Sequence, residues 1–464
     1  MIDIFKQYHP VRNIFFFIVE GLIIFCSLVL SFFWLTQSHG YILDFFLFWR
    51  IFGITVICQI SLYYFDLYDL NVSNTLPEII IRMLLALGSA AIVLGLIYWL
   101  FPVTVVATQV FTLAIVFLIL LILMWRLFYI LILKKGWFNE SIIVMGSSPL
   151  AMDILDHINE NLDCGYTVTA VIPDATHGLL ERYVADKFYF LDEKTKLCNV
   201  VEQFGIHKIV VALKDKRGQF PTEDLLLCKV SGIEVQEGNT FYEALTGKLL
   251  VREINPSWLI FSRGFRYSRV TNCIKRMGDI VISFLLLLFF FPVGGITAIF
   301  IKLDSRGPVL FSQERVGKYR KVYTMYKFRS MVKDAEKNSG PVWATENDPR
   351  VTRMGRFMRW CRLDELPQLW NVFIGNMSLV GPRPERKYFV DQLEKNIPYY
   401  MARFEVKPGI TGWAQILCGY GASMEDTIEK LGYDLFYIKN LSCLIDVVIL
   451  VRTIKTVLFG RGAR

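Results

Sequence analysis

From residue 271 to its end, this 464-residue chain contains no histidine; His9, His39, His157, His177 and His207 all come earlier. Any acid, base or nucleophile in that stretch must be a carboxylate, hydroxyl, thiol, amine or phenol. The nine cysteines include no C-x-x-C pair. Cys26 and Cys58 lie in apolar stretches, and Cys164, Cys198 and Cys228 in a polar-patterned region. This argues against a disulfide or zinc framework and for free thiols in a reducing cytoplasm. There is no long basic run, and the net charge of +8 fits an anionic partner such as phosphate or a membrane surface. No nucleic-acid partner is expected. Internal repeats, low-complexity linkers and a cleavable signal are also missing, since the first apolar stretch is too long for a signal core and no small-residue cleavage site follows it.

What the chain does have is apolar sequence. Hydrophobic residues make up 54%, so a soluble globular protein is not expected. Stretches at 13–36, 43–65, 78–101 and 104–133 are each long enough to cross a bilayer as a helix. The connections at 37–42 and 101–104 lack Lys and Arg, whereas Lys6, Arg12, Lys134 and Lys135 flank the set. The positive-inside rule then puts both ends in the cytoplasm. The connection at 66–77 is acidic and does not decide orientation.

The character changes near 137. "SIIVMGSS", "GYTVTAVIP", "KIVVAL" and "GIEVQ" read as strands, with helices at "PLAMDILDHINEN" and "TEDLLLCKV". Alternation of this kind predicts a parallel α/β module. A second apolar run, Ile280 to Ile301, is flanked by Lys275 and Arg276 before it and Lys302 and Arg306 after it, so both flanks prefer one side. Pro292 in mid-run removes a backbone donor. The favoured reading is a helix that enters the bilayer, breaks at Pro292 and returns; a kinked spanning helix is the alternative. The stretch at 435–459, interrupted by Lys439, Asp446, Arg452 and Lys455, reads as a surface-lying or core helix.

"RLDELPQLWNV" places Asp364 beside Glu365. Adjacent carboxylates stay ionised only with a cation nearby; otherwise one titrates upward. Mg²⁺, which is shared between one or two carboxylates and substrate phosphates, suits them, and an aspartate can attack phosphorus. On the dipeptide alone, an ordinary helix-start pair before Pro367 is the better explanation; the surrounding sequence shifts that weighting. Arg353, Arg356, Arg359 and Arg362 recur every three residues just before it, a pattern that suits phosphate or merely a solvated basic face. In "LVGPRPE", Pro382 and Pro384 stiffen the backbone around Arg383. In "YTMYKFRSM", a strand would put Lys327 and Arg329 on one face. "VKPGITGWAQ" is rich in turns, and its Trp413 suits a bilayer interface.

In this order, "KRMGDIVISF", "GPVLFSQERVGKYRKVYTMYKFRSM", "NDPRVTRMGRFMRWCRLDELPQLWNVFIGNMSLVGPRP" and "VKPGITGWAQ" resemble the catalytic domain of bacterial sugar transferases, the monotopic polyprenyl-phosphate phosphoglycosyl transferases. The resemblance spans about 271–464. It implies transfer of a sugar phosphate from a UDP-sugar to undecaprenyl phosphate with release of UMP, as the first membrane step of exopolysaccharide or O-antigen synthesis. By the same resemblance Asp364 is the nucleophile, Glu365 the Mg²⁺-associated acid, and Lys327, Arg359 and Arg383 the phosphate-binding bases; Arg329, on the same expected strand face as Lys327, is also expected to bind substrate. Phe291 stands where many members have serine before the helix-breaking proline. "ILCGYGAS" follows "WAQ" where many have "VNG" or "ING" and an arginine, which leaves the sugar open.

The expected architecture is a four-helix transmembrane bundle at 1–136, a Rossmann-like α/β module at 137–264, and a monotopic catalytic domain at 265–464 whose re-entrant helix covers about 274–303. The expected location is the bacterial inner membrane, catalytic domain on its cytoplasmic face, with membrane lipid as a partner; the sequence does not decide whether the chain forms a homo-oligomer. In the module, "VMGSSPLA" keeps only Gly146 of a G-x-G-x-x-G, and no acid ends the second strand before Asp174. Lost dinucleotide binding is the favoured reading. The rivals are a membrane-bound NAD-dependent nucleotide-sugar dehydratase, for which Tyr183 and Lys187 form a loose Y-x-x-x-K, and a non-catalytic polysaccharide assembly scaffold.

Overall fold

A computed structural model describes residues 11–39, 45–68, 76–102, 108–134, 139–161, 164–173, 189–190, 197–213, 221–254, 256–262, 264–265, 268–332, 348–418 and 423–458. The chain divides into two compact units, Met1–Phe241 and Tyr242–Arg464.

Four apolar helices open the first unit: α1 (Val11–His39), α2 (Phe45–Tyr64), α3 (Leu76–Leu100) and α4 (Thr108–Lys134). Each carries a stretch long and apolar enough to cross a membrane. α1 packs on α2 and α4, and α2 on α3. Helical spacing selects the buried stripe of α3, Ile79, Met83, Ala86, Ala90 and Leu94. These join Ile24 and Leu28 of α1, Ile54 and Cys58 of α2, and Leu118 and Ile122 of α4 in one core. The outward faces are apolar too, with Ile92 and Trp99 exposed, as expected of helices apolar all round. Arg126 of α4 donates to Glu20 of α1 at 2.7 Å and to the Leu67 carbonyl. Both side chains of this ion pair are buried. Unpaired, either charge would be prohibitive in an apolar medium; paired, they pin α1 to α4.

The same unit holds a sheet. Its elements are β1 (Glu140–Met145), α5 (Pro149–Glu160), β2 (Tyr166–Ile172), β3 (Tyr189–Phe190), α6 (Leu197–Phe204), β4 (Lys208–Val211), α7 (Thr222–Val230) and β5 (Glu234–Glu237). All pairings are parallel, in the order β3-β2-β1-β4-β5. The four strands and two helices expected from the sequence are present; β3 and α6 add to them. Gly146 sits at φ +118°, and a side chain there would run into the Ala212 carbonyl. The Ser148 hydroxyl caps α5 by accepting from the Ala151 amide at 3.2 Å, and it donates to the Ala212 carbonyl at 2.6 Å. Asp174, Tyr183 and Lys187 lie outside the described residues.

A short helix, α8 (Gly238–Thr246), runs across the division between the units. Residues after it, read from the sequence with the module, are bonded within the second unit: Lys248 pairs with Glu429 at 2.6 Å, and the Trp413 indole donates to the Gly247 carbonyl at 2.9 Å. Next come α9 (Pro256–Phe261) and the 36-residue α10 (Arg269–Asp304). The antiparallel pair β6 (Leu310–Val316) and β7 (Val322–Phe328) follows, then α11 (Arg353–Trp360), α12 (Gln368–Ile374) and β8 (Ser378–Val380). Last are α13 (Lys387–Asn396), β9 (Gly409–Thr411), which pairs parallel with β8, α14 (Trp413–Leu417), α15 (Met424–Lys439) and α16 (Cys443–Leu458).

Three expectations change here. α10 stays helical through Pro292 with no gap; a proline costs one backbone bond, which a long helix absorbs as a bend, so a return to the same face would come from a bend and not from an interruption of the helix. Trp413 is not at an interface: it is 2% exposed and stacks on Phe436, because its N–H finds a backbone acceptor inside the fold. The stretch at 435–459 is two helices rather than one, meeting around Asn440; in keeping with the core alternative, Lys439 pairs with Glu243 and Asp446 with Lys275 at 2.6 Å.

Candidate active site

The site grows from β7. Lys327 is its penultimate residue, opposite Phe311 of β6. Asn371 of α12 locks the strand in place: its amide donates to the Thr324 carbonyl at 2.8 Å and its oxygen accepts from the Tyr326 amide at 3.0 Å. Gly355 lets α11 close onto the chain beyond β7, since a Cβ there would collide with the Ser330 carbonyl. After α11 the backbone turns at Arg362, a left-handed residue with φ +57°, into a 3₁₀ turn over Leu363–Glu365. Pro367 then starts α12. The acids therefore sit on a short, constrained turn between two helices, facing the end of β7.

The two carboxylates are treated differently. Glu365 Oε1 accepts from Lys327 Nζ at 3.3 Å and Arg383 Nη2 at 3.1 Å, with Arg362 Nη1 4.0 Å away. Burial pushes its carboxyl up, but Lys327, Arg383 and Arg362 outweigh that and hold it at about 2. Asp364 is only 7% exposed, and its Oδ1 has no hydrogen-bond partner. Burial and then Glu365 push its carboxyl up; Lys327, Arg359 and Arg362 pull the other way without prevailing. Burial also lowers the Lys327 ammonium. Glu365 is thus a fixed anion, and Asp364 is a buried carboxylate with an oxygen to spare.

Arg383 is aimed from its backbone. The carbonyls of three successive residues are each gripped: Pro382 by the Gly409 amide at 3.0 Å, Arg383 by Arg403 Nη2 at 3.0 Å, and Pro384 by Arg315 Nη1 at 3.1 Å. Arg403 is held by Asp434 of α15 at 3.0 Å and donates to the Tyr400 hydroxyl at 2.7 Å. With φ preset by two prolines and three carbonyls bonded, the segment has little freedom left to lose.

Of the residues singled out from the sequence, Asp364, Glu365, Lys327 and Arg383 come together. Arg359 faces Asp364 electrostatically, with its Nε donating to the Ser330 hydroxyl at 3.0 Å. Arg329 does not join them. It lies past the end of β7, and its guanidinium donates to the Ser305 carbonyl at 2.8 Å and the Arg306 carbonyl at 3.2 Å. It fastens the chain after α10, apart from the Glu365 cluster, because the strand alternation that paired it with Lys327 ends at Phe328. Sequence reasoning missed Arg315, Asn371, Arg403 and Asp434. They act on backbone groups or partners many residues away, and nothing in their own spacing announces it.

Among the described residues no group of three or more His, Cys, Asp or Glu could hold a metal ion. The donor set here is two carboxylates, one with an unpaired oxygen, which suits a Mg²⁺ ion completed by phosphate oxygens and water and not one caged by protein alone.

The model of a family described as bacterial sugar transferase matches residues 270–460. A UDP-N-acetylgalactosamine-undecaprenyl-phosphate N-acetylgalactosaminephosphotransferase of Aeromonas hydrophila is 44% identical over 240 residues, 52% of this chain and 56% of that one. A UDP-glucose:undecaprenyl-phosphate glucose-1-phosphate transferase of Escherichia coli strain K12 is 46% identical over 40% of each chain. Its namesake from Klebsiella pneumoniae is 32% identical over 330 residues, 69% of this chain and 68% of that relative. The first of these matches thus reaches little more than half the length of the relative.

Proposed function

The chain belongs to the bacterial sugar transferase family, and from that premise we propose that it moves a sugar phosphate from a UDP-sugar to undecaprenyl phosphate and releases UMP. The observation that carries this reading is the asymmetry of the dyad: Glu365 bonded to Lys327 and Arg383, and Asp364 buried with Oδ1 unpartnered.

Asp364 Oδ1 attacks the phosphorus that bears the sugar. The bond from that phosphorus to the bridging oxygen breaks, and its electron pair leaves with UMP. A phosphate oxygen of the lipid then attacks the same phosphorus, and the Asp364 carboxylate departs. Lys327, Arg359 and Arg383 neutralise charge on the oxygens of the transferring group. Burial keeps water off the acyl phosphate. Mg²⁺, held by Glu365 beside Asp364, would supply further charge neutralisation to the donor's diphosphate.

The membrane setting rests on α10. Near its start, Lys275 donates to the Val380 carbonyl at 3.0 Å and Asp279 accepts from the Leu379 amide at 3.0 Å. At its other end Asp304 accepts from the Met354 amide at 3.0 Å. Both ends are bonded to one compact unit, which supports a helix that returns to the face it entered rather than one that spans. The reading places that unit on the cytoplasmic face of the bacterial inner membrane, at the first membrane step of exopolysaccharide or O-antigen assembly. The relatives differ in sugar, so the donor is a hexose or an N-acetylhexosamine. The dehydratase reading gains no support: the β1–α5 turn is filled by Ala212 and capped by Ser148.

The test is UMP release by the purified full chain in nanodiscs, with undecaprenyl phosphate, Mg²⁺ and a panel of UDP-sugars. Turnover should vanish with EDTA and with Asp364→Asn. With donor alone, the intact mass should rise by one sugar phosphate, carried on Asp364. An adduct on another side chain, or turnover in Asp364→Asn, overturns the mechanism.

A further inference from the structure

Gln368 is the first residue of α12, and it is 3% exposed. Its side-chain Nε2 is enclosed and has no hydrogen-bond partner among the described residues. A buried donor left unmade bears its full desolvation cost, and few native groups bear it without a use. Asp364 Oδ1, four residues earlier, is a second such orphan.

The backbone puts the two on one face. The 3₁₀ turn over Leu363–Glu365 runs into α12 without interruption: the Leu366 amide donates to the Leu363 carbonyl at 3.2 Å, and the Leu369 amide to the Leu366 carbonyl at 3.0 Å. Along such a coil, residues three and four apart are neighbours, so Asp364, Gln368 and Asn371 form one stripe. All three are buried. Asn371 ties the far end of the stripe to β7, through the Thr324 carbonyl and the Tyr326 amide, one residue short of Lys327. Gln368 therefore stands between the clamp on the strand and the acid. The nearby cations are held elsewhere: Lys327 and Arg383 donate to Glu365 Oε1, and Arg359 Nε donates to the Ser330 hydroxyl.

An amide N–H is a donor and a carboxylate oxygen an acceptor, but here neither satisfies the other. A group that completes both must accept from the first and take an electron pair from the second. A phosphoryl group does this, because its non-bridging oxygens accept hydrogen bonds and its phosphorus is electrophilic. We infer that Gln368 is a further catalytic residue: its Nε2–H donates to a non-bridging oxygen on the phosphorus that Asp364 attacks. The inference rests on the proposed reading of Asp364 as the nucleophile. The transferring group spreads charge over its equatorial oxygens, and a donor fixed before reaction stabilises that charge without reorganising. No proton moves. The amide stays neutral while UMP leaves, and again while the lipid phosphate displaces Asp364. A single bridging water is the competing occupant, since it too can accept from Gln368 and donate to Asp364.

The full chain in nanodiscs tests this with two variants. Gln368→Leu fills similar space without a donor, and Gln368→Glu keeps the shape but turns the donor into an acceptor. Both should lower kcat for UMP release about 10²-fold with little change in the KM of either substrate. Formation of the Asp364 adduct from donor alone should slow to the same degree. The melting temperature of Gln368→Leu should not fall, because no hydrogen bond is lost. Donors with sulfur in place of either non-bridging oxygen on the sugar-bearing phosphorus give the specific readout. The native chain should prefer one diastereomer, and Gln368→Leu should change that preference about tenfold. A kcat at the native level in Gln368→Leu, or an unchanged preference between diastereomers, overturns the inference and leaves the amide to a bridging water. A kcat at the native level in Gln368→Glu also overturns it, since the amide oxygen would then be the working atom; this variant decides the matter if Gln368→Leu does not fold. Turnover in Asp364→Asn overturns the nucleophile and this inference together, so the two failures are read from different variants.

Discussion

The turn that leads into α5 and the turn that carries the two acids are both buried, and both join short elements, but they differ in what they leave over. Around Gly146 the accounting closes: its amide donates to the Ile172 carbonyl at 2.8 Å, Ser148 caps the helix, and the space near the glycine is filled by Ala212. Around Glu365 it does not close, because Asp364 Oδ1 is enclosed without a partner. A fold seldom leaves a buried charged oxygen unpaired unless something outside the chain completes it. The contrast is between a turn whose polar groups the protein satisfies by itself and a turn that leaves a buried carboxylate oxygen over.

The sharpest way to break that contrast is Asp364→Asn. UMP release should fall by about 10⁴-fold or more, as for loss of a covalent nucleophile. Thermal stability should not fall with it, since burial already disfavours the ionised carboxyl. Differential scanning fluorimetry alongside the UMP assay checks both halves. A large drop in melting temperature would recast the aspartate as a structural group.

Next in size is Arg383. Arg383→Ala removes a cation from Glu365 and from the transferring phosphoryl group, and should cost about 10²-fold in kcat/KM. Arg383→Lys should recover little of it, because the planar fork is lost. Full activity in Arg383→Lys would show that a point charge suffices and that the grip on the Pro382–Pro384 carbonyls has no bearing on geometry.

These residues also show where sequence reading succeeds. The apolar runs and the strand–helix alternation are local patterns, and α1 to α4, β1, β2, β4 and β5 follow from them. Asp364, Glu365 and Arg383 stood out because acids side by side and an arginine between prolines are locally odd. Lys327 and Arg329 looked equivalent because strand alternation treats them alike; only the end of β7 at Phe328 separates them. Arg403 and Asp434 were illegible, since a buried arginine that braces a carbonyl twenty residues away has no signature of its own. Trp413 misled for the opposite reason: a tryptophan in a turn-rich stretch reads as interfacial until a backbone carbonyl inside the fold is found for its N–H.

Asp434 provides a smaller, pH-dependent effect. Burial pushes its carboxyl up to about 6, against the pull of Arg403. A carboxyl raised in the folded state contributes stability that is fully present below its ordinary range near 4, and loses it as the pH rises through about 6. The expected change over that window is on the order of 2 kcal/mol, read as a falling melting temperature. Asp434→Asn should flatten the slope between pH 4 and 6. An unchanged slope would assign the titration to another group.

The smallest effect belongs to the closed turn. Ser148→Ala removes the cap of α5 and one bond to the Ala212 carbonyl, which should cost about 1 kcal/mol of stability and leave UMP turnover unchanged. Addition of NAD to the native chain should not move the melting temperature, whereas a ligand present at a hundred times its Kd would add about 2.7 kcal/mol. Stabilisation by NAD that Ser148→Ala abolishes would reopen the turn as a nucleotide site and dissolve the contrast with the dyad. A loss of stability without a loss of turnover would leave that turn as a folding device.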